Sequence, residues 1–189
     1  MKNKILIGLL AIILIFTLTG CFNKSTTSNN AASQKQIKGN CVALECIKKL
    51  SPENTVEDIN KVIGFEGKLT DEKNKIYVWK IASDEKITAS YYSSDKATIE
   101  ASYNKDEIKN DKVDFSKYEE IQSALKSSTS LTYDEFCSKV NAQGILYKIS
   151  SYSNQYVWVN KNGEYLTGTF SKSTNKCTFV IGRIQKSGN

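Results

Sequence analysis

The sequence predicts an α+β protein built from two tandem repeats, each a helix-loop-helix followed by an antiparallel β-sheet. A Tyr-Val-Trp triplet occurs twice, ending at Trp79 and Trp158, the two tryptophans of the chain. A Thr-led amphipathic segment precedes each triplet, beginning at Thr55 and at Thr132, and an apolar/polar alternation typical of strands follows it. Such similarity at a fixed spacing indicates an internal repeat.

The composition changes along the chain and predicts five segments. Residues 22–40 are rich in Ser, Thr, Asn, Gln and Lys, and a segment with so few apolar side chains cannot bury enough surface to order itself. The predicted parts are a signal peptide at 1–20, a lipidated Cys with a disordered tether at 21–40, repeat unit 1 at 41–104, a connector at 105–117 and repeat unit 2 at 118–189.

The N-terminal residues have the order of an export signal. Two lysines precede the apolar run 5–16, and Leu18-Thr19-Gly20-Cys21 follows it. This segment resembles a bacterial lipoprotein lipobox. The resemblance implies that the leader is cut before Cys21, that Cys21 carries lipid, and that the protein is held on the outer side of the cell membrane. The alternative is an ordinary secretory leader with a chance cysteine.

The first repeat begins with two predicted helices. Asn40 would cap a helix over 41–50 that ends before Pro52, because the residue preceding a proline avoids helical torsion angles. Thr55 and Asp58 have the spacing of a capping box at the second helix. The hydrophobic period then changes to that of strands, predicted over 76–82, 86–92 and 97–103.

The second repeat predicts the same order of elements. A short helix over 118–127 precedes Thr132 and Glu135, which form a capping box at the next helix. Asn162-Gly163 stands between two alternating segments, which indicates a two-residue hairpin turn. The predicted strands are 145–149, 155–160, 164–170 and 176–184.

A two-residue turn at Asn162-Gly163 would pair Trp158 with Thr167 and direct the Tyr and Trp rings away from the aliphatic face. Large rigid aromatic rings beside small hydroxyl residues have the composition of a recognition surface. The alternative is that the rings pack between the two units as a second core. The predicted partner-binding residues are Tyr77, Trp79, Tyr156, Trp158 and Tyr165.

Charge and composition exclude several function classes. The net charge is +6, but five of the 26 basic residues precede residue 41, so the remainder is near neutral and does not favour nucleic-acid binding. The chain has no His, the commonest general base and metal ligand, so we predict neither catalytic residues, nor a metal site, nor a cofactor. Residues 145–189 have six basic residues and one acidic residue, which favours an acidic partner.

Four cysteines remain besides Cys21. In an unbroken helix Cys41 and Cys46 would point apart and rise by about 7.5 Å, too far for a bond. Cys137 on the core side of a helix and Cys177 near core-facing Phe179 could meet, so we predict a disulfide between them, with two buried free thiols as the alternative.

The predicted order of elements, used twice in an exported chain, resembles the β-lactamase inhibitor protein family and the small outer-membrane assembly lipoproteins, which have one such unit. The resemblance covers residues 41–186 and implies a concave sheet surface that grips a protein, without catalysis. We therefore expect a lipid-anchored module that binds a protein partner. The alternatives are a structural or assembly subunit of a cell-envelope complex and, third, a lipoprotein that binds a small molecule or peptidoglycan.

Overall fold

The computed structural model describes residues 38–92, 95–127 and 130–184 as an antiparallel β-sheet with short helices against one of its faces. The helices are α1 (Ala43–Ile47), α2 (Val56–Ile63), α3 (Tyr118–Lys126) and α4 (Tyr133–Val140). A 3-10 helix spans Lys105–Ile108. The strands are β1 (Lys68–Asp71), β2 (Ile76–Lys80), β3 (Lys86–Ser90), β4 (Thr98–Ala101), β5 (Ile145–Ile149), β6 (Ser153–Val159), β7 (Tyr165–Ser171) and β8 (Cys177–Arg183).

The predicted fold of two tandem helix-loop-helix and sheet repeats is wrong. The strands form one eight-stranded sheet in the order β1 to β8, and the helices are only five to nine residues long. The sheet is continuous because β4 pairs with β5, with Ile99 opposite Ile149 and Glu100 opposite Lys148. Two separate four-stranded sheets would each leave an additional edge with unpaired backbone groups, and this pairing removes both. A mixed helix and sheet composition stays compatible with an α+β class.

Both predicted capping boxes are confirmed. The hydroxyl of Thr55 accepts from the amide of Asp58, and the hydroxyl of Thr132 accepts from the amide of Glu135; each carboxylate bonds back to the capping amide. Asn40, in contrast, does not cap α1. Its side-chain amide donates to the carbonyls of Lys61 and Val62, near the C-terminal end of α2, where carbonyl groups lack partners within the helix.

Two apolar clusters fill the space between the sheet and the helices. The first lies beneath α1 and α2 and contains Trp79, and the second lies beneath α3 and α4 and contains Trp158. A glycine touches each indole: a Cβ built on Gly67 would lie 2.3 Å from Cε2 of Trp79, and one on Gly144 would lie 2.5 Å from Cζ2 of Trp158. Only a residue without a side chain fits at either place.

The β6–β7 hairpin has a longer turn than predicted, which shifts its register. The amide of Asn160 donates to the carbonyl of Glu164, and Gly163 has a positive φ of 81°, so three residues, not two, form the loop. Trp158 consequently pairs with Leu166 and not with Thr167. A one-residue shift moves every side chain of a strand to the other face relative to its partner.

The predicted disulfide between Cys137 and Cys177 is wrong. Both thiols are free and buried, and the bridge joins Cys41 and Cys46, whose Cα atoms are 5.6 Å apart. The argument against that bridge assumed one unbroken helix. α1 begins only at Ala43 and its N-cap Val42 is extended, so Cys41 lies before the helix and can approach Cys46.

The predicted signal peptide, the lipidated Cys21 and most of the tether lie in residues 1–37, outside the described residues. Within the described part of the chain, no helix is long and apolar enough to cross a membrane. The last residues of the predicted tether contact the sheet and α2, since the amide of Lys38 donates to the carbonyl of Ile81 and that of Asn40 to the carbonyl of Ile63.

Candidate functional site

Both tryptophans of the predicted binding face lie in the core. The exposed fraction of Trp79 is 0% and that of Trp158 is 1%. The indole N–H of Trp79 donates to Oδ1 of Asn60 at 2.8 Å, and that of Trp158 donates to the carbonyl of Ala142 at 2.9 Å. A buried ring whose polar atom is hydrogen-bonded within the protein has nothing left to offer a partner. Their assignment to a binding surface is therefore wrong.

Two of the predicted tyrosines share that face. Tyr77 packs against the first cluster, with its ring 6.2 Å from that of Trp79. Tyr156 packs against the second cluster, with its ring 4.5 Å from that of Tyr133 on α4. Tyr165 alone of the five predicted residues lies on the other face, opposite Val159 and Arg183 in the register. The longer hairpin turn explains this separation of Tyr165 from Trp158.

The face of the sheet opposite the helices is the candidate binding surface, and we call it the open face. Residues directly opposite each other in antiparallel strands point to the same side, so a row of paired residues identifies it. None of the side chains in this row from β2 to β8 is fully buried. The row contains Val78, Thr88, Glu100, Lys148, Gln155, Thr169 and Phe179.

Three half-buried tyrosines gather at one end of the open face. The rings of Tyr103 and Tyr147 are 5.4 Å apart in an edge-to-face arrangement, and the hydroxyl of Tyr147 donates to Oε1 of Gln155 at 2.8 Å. The ammonium of Lys105 lies 3.4 Å from the ring centre of Tyr165. Aromatic pairs and a cation over a ring are favourable contacts that also hold the rings in place. We call Tyr103, Tyr147 and Tyr165 the tyrosine cluster.

Burial changes the acidity of the tyrosine cluster. It is the main cause that raises the pKa of Tyr103, with smaller contributions from Tyr147, Tyr165 and Glu100. Burial also raises the pKa of Tyr147, followed by the charge of Glu100. Both phenols consequently stay protonated well above neutral pH and can donate hydrogen bonds. A rigid neutral tyrosine has the properties of a contact residue in protein interfaces.

An exposed apolar pair extends the open face to its edge. Phe179 and Ile181 on β8 have exposed fractions of 58% and 57%. They stand opposite Thr169 and Thr167, and the side chain of Thr167 also interacts with Tyr147 of the tyrosine cluster. The aromatic and apolar residues thus continue from the cluster to β8. Exposed apolar groups beside polar ones are common at interaction sites.

The charges on this face differ between its two halves. Lys148 and Glu100 are paired residues on neighbouring strands, and their charged groups are 2.8 Å apart. From Tyr165 to Ile184, in contrast, the chain has three basic residues and no acidic one. The β7–β8 side of the sheet is therefore positively charged, which fits the acidic partner predicted from the sequence.

A small cavity of about 290 Å³ lies between α1 and the chain following β4. Its lining includes Leu44, Tyr103, Ile108 and Ile145 as well as three glutamates. Its volume is at the lower limit of ligand pockets, which begin at about 300 Å³. Among the described residues, no group of three or more Cys, Asp or Glu side chains could hold a metal ion.

Sequence reasoning missed Tyr103, Tyr147 and the exposed pair on β8. One signal was present for β8, because Phe179 and Ile181 lie two residues apart, between Thr178 and Gly182, in a segment without acids. Tyr147 had none, since it occupies an irregular position where the β5–β6 register shifts between Leu146 and Lys148. A bulge of this kind redirects a side chain and leaves no periodic trace in the sequence.

No protein-family model, no curated protein and no solved structure matches the chain.

Proposed function

We propose that the protein is a membrane-anchored, extracytoplasmic module that binds a protein partner on the open face of its sheet. The observation that carries this proposal is the continuous surface from the tyrosine cluster to Phe179 and Ile181, in which rigid aromatic rings adjoin exposed apolar side chains. Aromatic residues surrounded by polar ones are enriched at interface centres, where they supply most of the binding energy.

The mode of binding follows from the architecture. The helices cover one face of the sheet. On the open face Val157 and Val159 are buried, Lys148, Gln155 and Thr169 are partly exposed, and Phe179 and Ile181 on β8 are exposed. The resemblance to β-lactamase inhibitor proteins implies that a protein partner is gripped by the sheet. Such binding would use the open face, and the tyrosine cluster, not the two tryptophans, would supply the contact residues.

The membrane location rests on the lipobox-like segment that ends at Cys21. Two or more acyl chains on one residue hold a protein to a bilayer far better than a single chain does. In the Cys21→Ala variant, we expect an uncut leader or release from the membrane fraction. Normal processing together with unchanged partition into the detergent phase would contradict the anchor.

Site-directed photocrosslinking in intact cells tests the binding face. A photoreactive phenylalanine analogue is introduced at Ile181 or at Tyr165, and a matched one at Tyr152, whose exposed fraction is 85% and which lies in the β5–β6 turn. The proposal expects one discrete crosslinked protein from the first two positions and none from the third. Equal crosslinking at all three positions would contradict a binding site on the open face.

A second variant measures how much the tyrosine cluster contributes to binding. Tyr147→Ala removes the edge-to-face contact with Tyr103. It should weaken non-covalent binding of the partner identified by crosslinking by about 2 kcal/mol, the usual size of an interface hot spot. A thermal melt of the isolated variant shows whether it stays folded. If Tyr147→Ala leaves the partner bound and the complex is a stable multi-subunit assembly, the alternative function is favoured. The protein would then be a structural or assembly subunit of a cell-envelope complex.

A further inference from the structure

The two edges of the sheet differ in how well they are protected. β1 has four residues, a register irregularity between Leu69 and Asp71, and charged side chains at both ends. Shortness, bulges and charge are the devices that prevent an edge strand from pairing with another chain. β8 has seven residues, and no charged side chain interrupts it before Arg183. The β8 edge therefore lacks the protection that β1 has.

A short ladder already exists at the start of the β8 edge. The amide of Cys177 donates to the carbonyl of Leu131 at 2.7 Å, and Thr132 forms an antiparallel bridge with Lys176. These contacts lie on the side of β8 away from β7. Among the described residues, no strand continues this pairing along 178–183. Alternate residues of an edge strand direct their N–H and C=O groups outward, where a peptide can bond to them.

Charge indicates what this edge would accept. Lys176 and Arg183 stand at its two ends, Lys172 lies in the turn before it, and the whole segment 165–184 has no acid. A second copy, paired antiparallel about Val180, would bring Lys176 of one chain beside Arg183 of the other. Like charges at such positions are destabilising, whereas carboxylates there are attracted.

We propose that the outer edge of β8 binds an extended acidic segment of a protein partner, which adds a strand to the sheet. Main-chain hydrogen bonds would supply affinity, while apolar side chains on alternate positions would pack beside Phe179 and Ile181. Acidic side chains would meet Lys176 and Arg183. This inference rests on the proposed function for the nature of the partner, but it uses a different surface element.

The test uses the full chain in detergent and a labelled peptide as long as β8, seven residues, with the sequence Glu-Thr-Val-Thr-Val-Thr-Glu. In an added strand its Glu and Val side chains share one face, the face on which Phe179, Ile181 and Arg183 lie. Fluorescence anisotropy measures binding, and hydrogen exchange with mass spectrometry measures amide protection. One control peptide has Lys for Glu, and another is methylated on alternate backbone nitrogens. We expect binding of the Glu peptide only, with slower exchange of amides in β8 and no change in β1.

Charge reversal separates this edge from the other one. Arg183→Glu combined with Lys176→Glu should weaken the Glu peptide at least fivefold, about 1 kcal/mol, and allow the Lys peptide to bind. The matched variant Lys68→Glu on β1 should leave both affinities unchanged. Since the reversed side chains are exposed, the variants should fold, and a circular dichroism melt checks this.

Several results would overturn the inference. These are no binding up to about 1 mM peptide, equal binding of the methylated peptide, or slower exchange in β1 with no change in β8. Concentration-dependent dimers in sedimentation, accompanied by slower exchange of the β8 amides at the higher concentration, would show that a second copy occupies the edge instead. The proposed function fails separately: if crosslinking from Tyr165 persists while the peptide does not bind, only the β8 inference is wrong.

Discussion

The contact between Gly144 and Trp158 makes a sharp prediction about stability. In Gly144→Ala, the new Cβ would lie 2.5 Å from Cζ2 and 2.8 Å from Cε2 of Trp158. Carbon atoms are most stable at about 3.5–4.0 Å, so one group must move by about 1 Å. The indole cannot move freely, because its N–H is bonded to the carbonyl of Ala142, two residues before Gly144.

The expected cost of Gly144→Ala is about 1–3 kcal/mol in the free energy of unfolding, the usual range for overpacking a core. The backbone at Gly144 does not have a positive φ, so torsional strain adds nothing. Trp158→Phe removes both ring atoms that the new methyl would meet, while the Cβ of Tyr156, 2.8 Å away, stays in place in both backgrounds. In that background the same substitution should cost less, with a coupling of about 1 kcal/mol or more between the two changes.

Urea denaturation of the four proteins in this double-mutant cycle measures the coupling, provided that the slope of the transition stays constant. Gly67→Ala gives an independent check, since its Cβ would lie 2.3 Å from Cε2 of Trp79. A Gly144→Ala variant within about 0.5 kcal/mol of the parent, or one equally destabilised with Phe at position 158, would refute the steric argument.

The remaining predictions concern ionisable groups and ring environment. Burial raises the pKa of Cys177 to about 11 and raises that of Cys137, so both thiols should resist alkylation until the chain unfolds, and their contribution to stability should be lost as the pH rises above 9. Rapid labelling of native protein would contradict their burial. Hydrogen bonds from the capping threonines lower the pKa of Asp58 below 3.8 and that of Glu135 below 4.5 in the folded protein. The stabilisation by these two carboxylates should therefore be present above those pH values and lost as the pH falls below them. A urea midpoint that stays constant between pH 5 and 3 would refute this. Both tryptophans should give blue-shifted fluorescence that iodide does not quench, and red-shifted, quenchable emission would show that an indole is exposed.

Sequence alone located the elements that depend on near neighbours. The capping boxes at Thr55 and Thr132 involve residues only three apart, and β5 has the predicted bounds Ile145–Ile149. Interactions between residues three or four apart can be recognised from the local sequence. The lipobox-like segment before Cys21 can also be recognised locally, from the order of its basic, apolar and Gly-Cys parts. That anchor is still a prediction, because it lies outside the described residues.

Tertiary structure decided which face of the sheet is free and how many sheets there are. One additional residue in the loop between Asn160 and Glu164 reverses the faces of β6 relative to β7, and so places Trp158 under α4 while Tyr165 lies on the open face. The pairing of β4 with β5 depends on backbone groups that every sequence has. Both outcomes follow from contacts between distant residues, where the total burial of apolar rings and the pairing of backbone groups outweigh any local pattern.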